Sequence, residues 1–178
     1  MNTDDRRSAL RADLDELVPI VYDDLIRIAQ RQLSRELGPR SLQATTLVHE
    51  AYLKLVGHPP EAADRNHLLA LASRVMRQVL VDRARTRAAS KRAGGHAHIT
   101  LTDAAGDRTI DEPTLLELND AIERLEPRQR QVVECRFFGG LSEDEISVAL
   151  GVTSRTVRRD WIKARAWLGR WLHEGDAA

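Results

Sequence analysis

Apolar residues recur at steps of three and four at Leu14, Leu17, Val21, Leu25 and Ile28, the spacing of one face of an α-helix. The pattern runs to about Leu37, where Gly38-Pro39 stops it. Pro19 falls inside this stretch. Its ring clashes with the carbonyl four residues back, so the sequence predicts either a kink near Val18 or a short separate helix before it. Leu47, Val48, Ala51, Tyr52 and Leu55 form a second apolar face over about residues 43 to 56, ended by Gly57-His58-Pro59-Pro60. A third helix is predicted from about Asn66 to Lys91, with Leu68, Leu71, Ala72, Val75, Val79 and Leu80 inward and Arg74, Arg77, Gln78 and Arg85 outward.

The helical period then lapses. Residues 93 to 112 carry Gly94-Gly95, Gly106 and several Asp and Thr, the composition of a flexible interdomain linker; only Ile99 to Leu101 offers an extended fragment. Pro113 suits a first helical turn, and Leu115, Leu118, Ile122 and Leu125 continue a stripe until Pro127 opens the next helix. The expected fold is all-α: two small helical domains, residues 1–92 and 113–178, joined by the linker 93–112.

The second domain holds the sharpest local signal. Ser142 and Glu145 make a capping box for a short helix whose buried side is Ile146, Ala149 and Leu150. Gly151 supplies a left-handed turn, Val152 plugs it, and Thr153 caps the next helix. This is helix-turn-helix punctuation. In the second helix Val157, Trp161, Ala164, Leu168 and Trp171 share one face, leaving Arg155, Arg159, Ile162 and Ala166 outward, with Arg158 and Lys163 beside them. Arginines at the start of such a helix bind guanine edges bidentately, and Arg155, Arg158 and Arg159 are the candidates.

Charge changes this picture more than composition does. The 178 residues carry no net charge, which by itself argues against a nucleic-acid partner. The charges are segregated, however. Arg65 to Arg92 has eight basic residues against Asp82, Thr100 to Glu126 has eight acids against two arginines, and Gly151 to Leu172 has six basic residues against Asp160. Two basic segments flanking an acidic one point to two contact surfaces. No apolar run approaches the roughly 18 residues of a membrane span, and the N-terminus lacks a secretory pattern, so a cytoplasmic protein with no membrane partner is expected. Cys135, the single cysteine, is expected to be a reduced thiol in an apolar setting.

Taken in order, these segments resemble the extracytoplasmic-function (ECF) sigma factors, from about Leu17 to Leu172. Thr46 to Val56 is similar to the helix with which that family grips the clamp of RNA polymerase; the residues implied are Gln43, Thr45, Thr46, His49, Glu50, Tyr52 and Lys54. Arg74 to Arg85 is similar to the helix engaging the minus 10 promoter element, and Leu125 to Ser142 leads into the helix-turn-helix as the family's minus 35 domain does. The resemblance implies a minus 35 surface of Thr153, Ser154, Arg155, Thr156, Arg158, Arg159 and Lys163. It also implies that residues 57 to 67 hold a flipped base of the non-template strand, with Asp64, Arg65, Asn66 and His67 as polar groups. Arg74, Arg77, Arg83 and Arg85, with Gln78, are the implied contacts to minus 10 DNA, chiefly its phosphates, and Asp82 is expected to pair with a neighbouring arginine. The partners implied are core RNA polymerase and promoter DNA, both duplex and non-template single strand, with no cofactor.

One departure bears on control. Where many family members carry an acidic cluster at the start of the polymerase-gripping helix, this chain has Gln43-Ala44-Thr45-Thr46. The plain reading is that Thr45 or Thr46 caps the helix; the sharper one is that a serine/threonine kinase phosphorylates them and restores the missing charge. Control by an anti-sigma factor is common in the family, though no residue here reports one. The linker acids, among them Asp103, Asp107, Asp111 and Glu112, are expected to be able to fold over one basic surface. The chain stops soon after its last helix, so no appended regulatory domain is expected.

Two other functions fit the sequence less well. A repressor or activator with a helical sensor domain shares the helix-turn-helix, but has no need of the second basic helix. An enzyme is not expected: His49-Glu50 lacks the second histidine of a zinc protease helix, His96 and His98 have no cysteine cluster, and no phosphate-binding glycine loop or nucleophile-base pair is present.

Overall fold

The computed structural model describes residues 3–34, 36–37, 42–57, 64–90 and 110–174. The Gly38-Pro39 stop, residues 58–63 of the loop after the second helix, and segment 91–109 with Lys91, Arg92, His96, His98, Ile99 to Leu101, Asp103 and Asp107 lie outside the described residues. The order is α1 (Thr3–Leu33), β1 (Glu36–Leu37), α2 (Ala44–Gly57), α3 (Arg65–Ser90), β2 (Ile110–Asp111), α4 (Glu112–Glu123), α5 (Pro127–Val133), a π-helical turn (Glu134–Phe138), α6 (Glu143–Leu150) and α7 (Ser154–Glu174). The all-α expectation holds. The two strands are two residues each and pair in parallel, Glu36 with Ile110 and Leu37 with Asp111.

α1 is one helix through Pro19, with no separate helix before it. Pro19 and Asp15, whose carbonyl loses its partner to the ring, are both exposed, so water can replace the missing hydrogen bond. Leu14, Val21, Leu25 and Ile28 are buried, as their spacing predicts, while Leu17 of the same face is half-buried; Ala29 is buried beside them.

α3 is the centre of the molecule. Leu68, Leu69, Ala70, Ala72, Ser73, Met76, Arg77, Val79, Leu80, Val81 and Ala84 are all buried. At 100° per residue these positions cover an arc of about 220°, more than one packing partner can bury. One side of the arc meets α1 and α2; the other meets α4, α6 and the π-helical turn. A single buried cluster therefore runs from Leu14 to Leu168 across both ends of the chain.

The sequence puts Arg77 on the outer side of this helix; the structure puts it inside, 1% exposed. The outward expectation assumed that α3 packs on one side only. Glycine matters at Gly139, where an added Cβ would collide with the Ser73 hydroxyl of α3 and with the Cys135 carbonyl. Gly139→Ala is expected to cost about 1–3 kcal/mol through this overpacking, measured by urea unfolding. Cys135 is buried as expected, and burial, aided by the neighbouring Glu134 carboxylate, pushes its thiol up to about 12.

Candidate nucleic-acid and polymerase interface

The helix-turn-helix forms by the local chemistry its sequence carries. Ser142 accepts from the Glu145 amide while the Glu145 carboxylate accepts from the Ser142 amide, completing the capping box. Gly151 is left-handed at φ 62°, a conformation that costs a residue with a Cβ roughly 1 kcal/mol or more. The Thr153 hydroxyl accepts from the Thr156 amide at 3.2 Å and caps α7. Val157, Trp161, Ala164 and Leu168 are buried, and Trp171 is half-buried and stacks on Trp167 at 5.4 Å.

On the outer face of α7 the three arginines differ. Arg158 donates from Nε and Nη2 to Glu143 Oε2 at 3.1 and 2.8 Å. The other oxygen of Glu143 accepts from Arg136 at 2.9 Å, and Arg136 lies over the Trp161 ring at 5.1 Å. Arg159 reaches the buried Asp160 at 3.4 Å, which Arg128 also holds at 2.5 Å. Arg155 is exposed, and no side chain among the described residues is bonded to it. Lys163 is exposed, and Ser154 donates to Asp144 at 2.7 Å, tying α7 to α6. The sequence reading missed Glu143, which holds Arg158 across the turn; as one of three acids in the first turn of α6, with Asp144 and Glu145, it looks like ordinary capping.

The Arg158 and Arg136 hydrogen bonds hold the Glu143 carboxyl below its ordinary value. Its contribution to stability is complete above the unfolded-state value, about 4, and is lost as pH falls through the lowered native value. Glu143→Gln lacks that contribution, so its stability deficit against the parent chain is expected to shrink as urea unfolding is repeated at successively lower pH below about 4.

The candidate minus 10 residues are spread differently from expectation. Asp64 caps α3, its Oδ1 accepting from the His67 amide at 2.9 Å. Arg65 donates to Asp24 from Nε and Nη2 and to Asn66 at 3.2 Å, and lies 3.6 Å from Glu145 of α6. Gln78 donates to Asp82 at 2.9 Å. Asp82 pairs with Lys54 at 2.7 Å in place of the expected arginine; burial opposes its ionisation, but the Lys54 and Gln78 hydrogen bonds hold its carboxyl below the usual range. Arg83 pairs with Glu50 of α2. Arg74 lies 4.0 Å from Glu134 and Arg85 3.6 Å from Asp120. Arg77 donates to Asn119, to Glu134 at 2.6 Å and to Glu123 at 3.1 Å.

The candidate polymerase residues share α2. Gln43 precedes its first residue, so Thr45 and Thr46 lie within the first turn and neither occupies the cap position. Both are exposed, as is His49, and that turn has no acidic residue. Tyr52 donates to Asp15 of α1 at 2.5 Å, a bond that raises its phenol above the ordinary value. Glu50 and Lys54 are turned to α3 through Arg83 and Asp82. No helix among the described residues is long and apolar enough to cross a membrane.

A capped helix-turn-helix beside a second basic helix defines a helical nucleic-acid-binding protein. The ECF sigma factor family model matches residues 8–174, nearly the whole chain, and the chain belongs to that family. It is similar to an RNA polymerase sigma-E factor of Streptomyces avermitilis, 28% identical over 169 residues, covering 92% of this chain and 87% of the relative. A sigma-E factor of Streptomyces antibioticus is 28% identical over 163 residues, 87% of this chain and 86% of the relative. The SigZ factor of Bacillus subtilis is 23% identical over 133 residues, 75% of this chain and 74% of the relative. As a family member the protein is an RNA polymerase sigma factor, with core polymerase and promoter DNA as its partners.

Proposed function

We propose that α7 reads the minus 35 element, that α3 and the loop before it engage and melt the minus 10 element, and that α2 grips the polymerase clamp. Residues 1–92 and 113–178 then act as separable domains joined by the linker 93–112. The observation that carries the reading is the helix-turn-helix itself: a capping box, a left-handed Gly151, a Thr153 cap and Arg155, Arg158 and Arg159 exposed on the first turns of α7. Promoter readout requires such a helix to present its N-terminal side chains to base edges. The test is to mix the full chain with core RNA polymerase and a promoter library and map start sites. Specific starts sharing two spaced elements support the reading; duplex binding to which polymerase adds nothing would replace it with a repressor.

Control is proposed to rest on a serine/threonine kinase, with an anti-sigma factor as the alternative. The absence of acid in the first turn of α2, with Thr45 and Thr46 exposed there, favours the kinase. A phosphothreonine adds about two negative charges at the positive end of a helix. Thr45→Glu and Thr46→Glu are each expected to tighten polymerase binding severalfold in a pull-down titration; no gain from either removes the kinase.

A further inference from the structure

Where α1, α3 and the loop before α6 come together, a cleft of about 350 Å³ is lined by three arginines, Arg27, Arg31 and Arg65, and two acids, Asp24 and Glu145. Arg27 and Arg31 are four residues apart on α1 and so share a face, while Arg65 opens α3. The acids do not balance them. Asp24 is shared, its Oδ1 accepting from Arg27 and its Oδ2 from Arg65. Glu145 serves the helix cap: its Oε2 accepts from the Ser142 amide and hydroxyl at 2.9 and 2.8 Å, and its Oε1 lies 3.6 Å from Arg65, longer than a hydrogen bond.

Ion pairing between helices explains Arg65, and solvent explains Arg27, which is 72% exposed. Neither explains Arg31. Its Nε is buried without a hydrogen-bond partner, and among the described residues no carboxylate pairs with its guanidinium. The loop is shaped around that group: a Cβ added at Gly140 would stand 2.7 Å from its Nη1 and 2.9 Å from its Cζ. An N–H taken from water without an acceptor costs its desolvation, and a third cation in this cleft is repelled by the other two. An anion in the cleft removes both penalties.

The lining also selects the anion. The amides of Gly139, Gly140 and Leu141 are already bonded to the carbonyls of Glu134, Arg136 and Cys135, so recognition falls to the three guanidiniums. A guanidinium presents a planar fork of N–H donors that matches two oxygens of a phosphate, and a chain of phosphates offers enough oxygens for three such forks. The space lies within the range of small-ligand sites and exceeds a single phosphate ion. Ile28, Leu69 and Leu141 close its inner wall with apolar side chains.

We propose that this cleft binds a small phosphorylated ligand of the diphosphate class, with Arg31 as its principal contact and Arg27 and Arg65 gripping the phosphate chain from the two helices. The site is separate from the recognition face of α7. It shares only Arg65 with the loop proposed to engage the minus 10 element.

The test is a calorimetric titration of the full-length chain with inorganic pyrophosphate and with adenosine diphosphate, sodium chloride holding the ionic strength constant. The parent chain is expected to bind one equivalent of either probe saturably. Arg31→Gln is expected to weaken that binding roughly tenfold to a hundredfold, as for the loss of a hydrogen-bonded charge, and to leave start-site selection with polymerase unchanged. Should Arg31→Gln fail to fold by circular dichroism, Arg27→Gln, at an exposed position, should weaken binding severalfold in the same assay. No saturable binding of either probe overturns the proposal. So does binding to which a folded variant makes no difference, which would place the anion on another basic surface. A fluorescein-labelled mixed-sequence single strand separates the remaining source of phosphate. If Arg31→Gln weakens its binding as much as that of pyrophosphate, the cleft belongs to the DNA backbone and the small-ligand proposal falls.

Discussion

A Trp161→Ala variant is expected to lose about 3–5 kcal/mol of folding stability, the range for removing a large buried aromatic ring. Trp161 is buried at the junction of α7 and the π-helical turn, beneath the Arg136 guanidinium. Its indole nitrogen is buried without a hydrogen-bond partner. The loss therefore comes from transfer and cavity terms, with no hydrogen bond to forfeit, and Trp161→Phe should lose clearly less. Urea unfolding followed by circular dichroism measures both. Because Trp161 sets α7 against the turn that carries Arg136 and Glu143, duplex binding by the variant should fall with its folded fraction. A variant as stable as the parent would mean that the neighbouring side chains close the space, against the density expected of this core.

Arg155→Ala is expected to weaken binding of the polymerase-bound protein to its selected upstream element by about 1–3 kcal/mol, and to relax base preference at one position. Of the three arginines on the first turns of α7, Arg155 is the one that no other side chain among the described residues holds, so it can meet a base edge without first breaking a contact. Arg158 must either leave Glu143 or bind while held by it, and Arg158→Ala should have the smaller effect. Lys163→Ala should weaken all sequences alike and lower the salt slope by about 0.9, as expected for a phosphate contact. Fluorescence anisotropy over a set of single-base substitutions separates these outcomes. Equal losses on every sequence for Arg155→Ala would make it a phosphate contact too.

Much of the fold was legible along the chain because its determinants are local. The cap at Ser142, the left-handed Gly151 and the stripe from Val157 to Leu168 each act within one or two helical turns, and each is where its spacing places it. Helix ends shifted by a residue or two, as at Thr45 and Thr46, where the helix begins at Ala44 and the expected cap fell inside it. The stretch from Glu134 to Phe138 gave no warning of its π-helical turn, since one extra residue in a helical circuit leaves the composition unchanged.

The candidate site was legible as residue types and illegible as partnerships. Arg65, Arg74, Arg83 and Arg85 were visible as a basic helix, but Asp24, Glu134, Glu50 and Asp120, which face them, come from four other segments. A signal did exist in Ala70, Val81 and Ala84, apolar residues lying outside the first stripe of α3, which only a second packing partner would bury. By itself the amino-acid sequence determined an all-α chain, a helix-turn-helix and the outward face of α7, because helix period and capping are read from neighbours within a few residues. Only the tertiary structure decided that α3 is packed on two sides and that Arg77 lies inside. Burial and ion pairing depend on which surfaces meet, and contacts 42 to 57 residues apart leave no period in the chain.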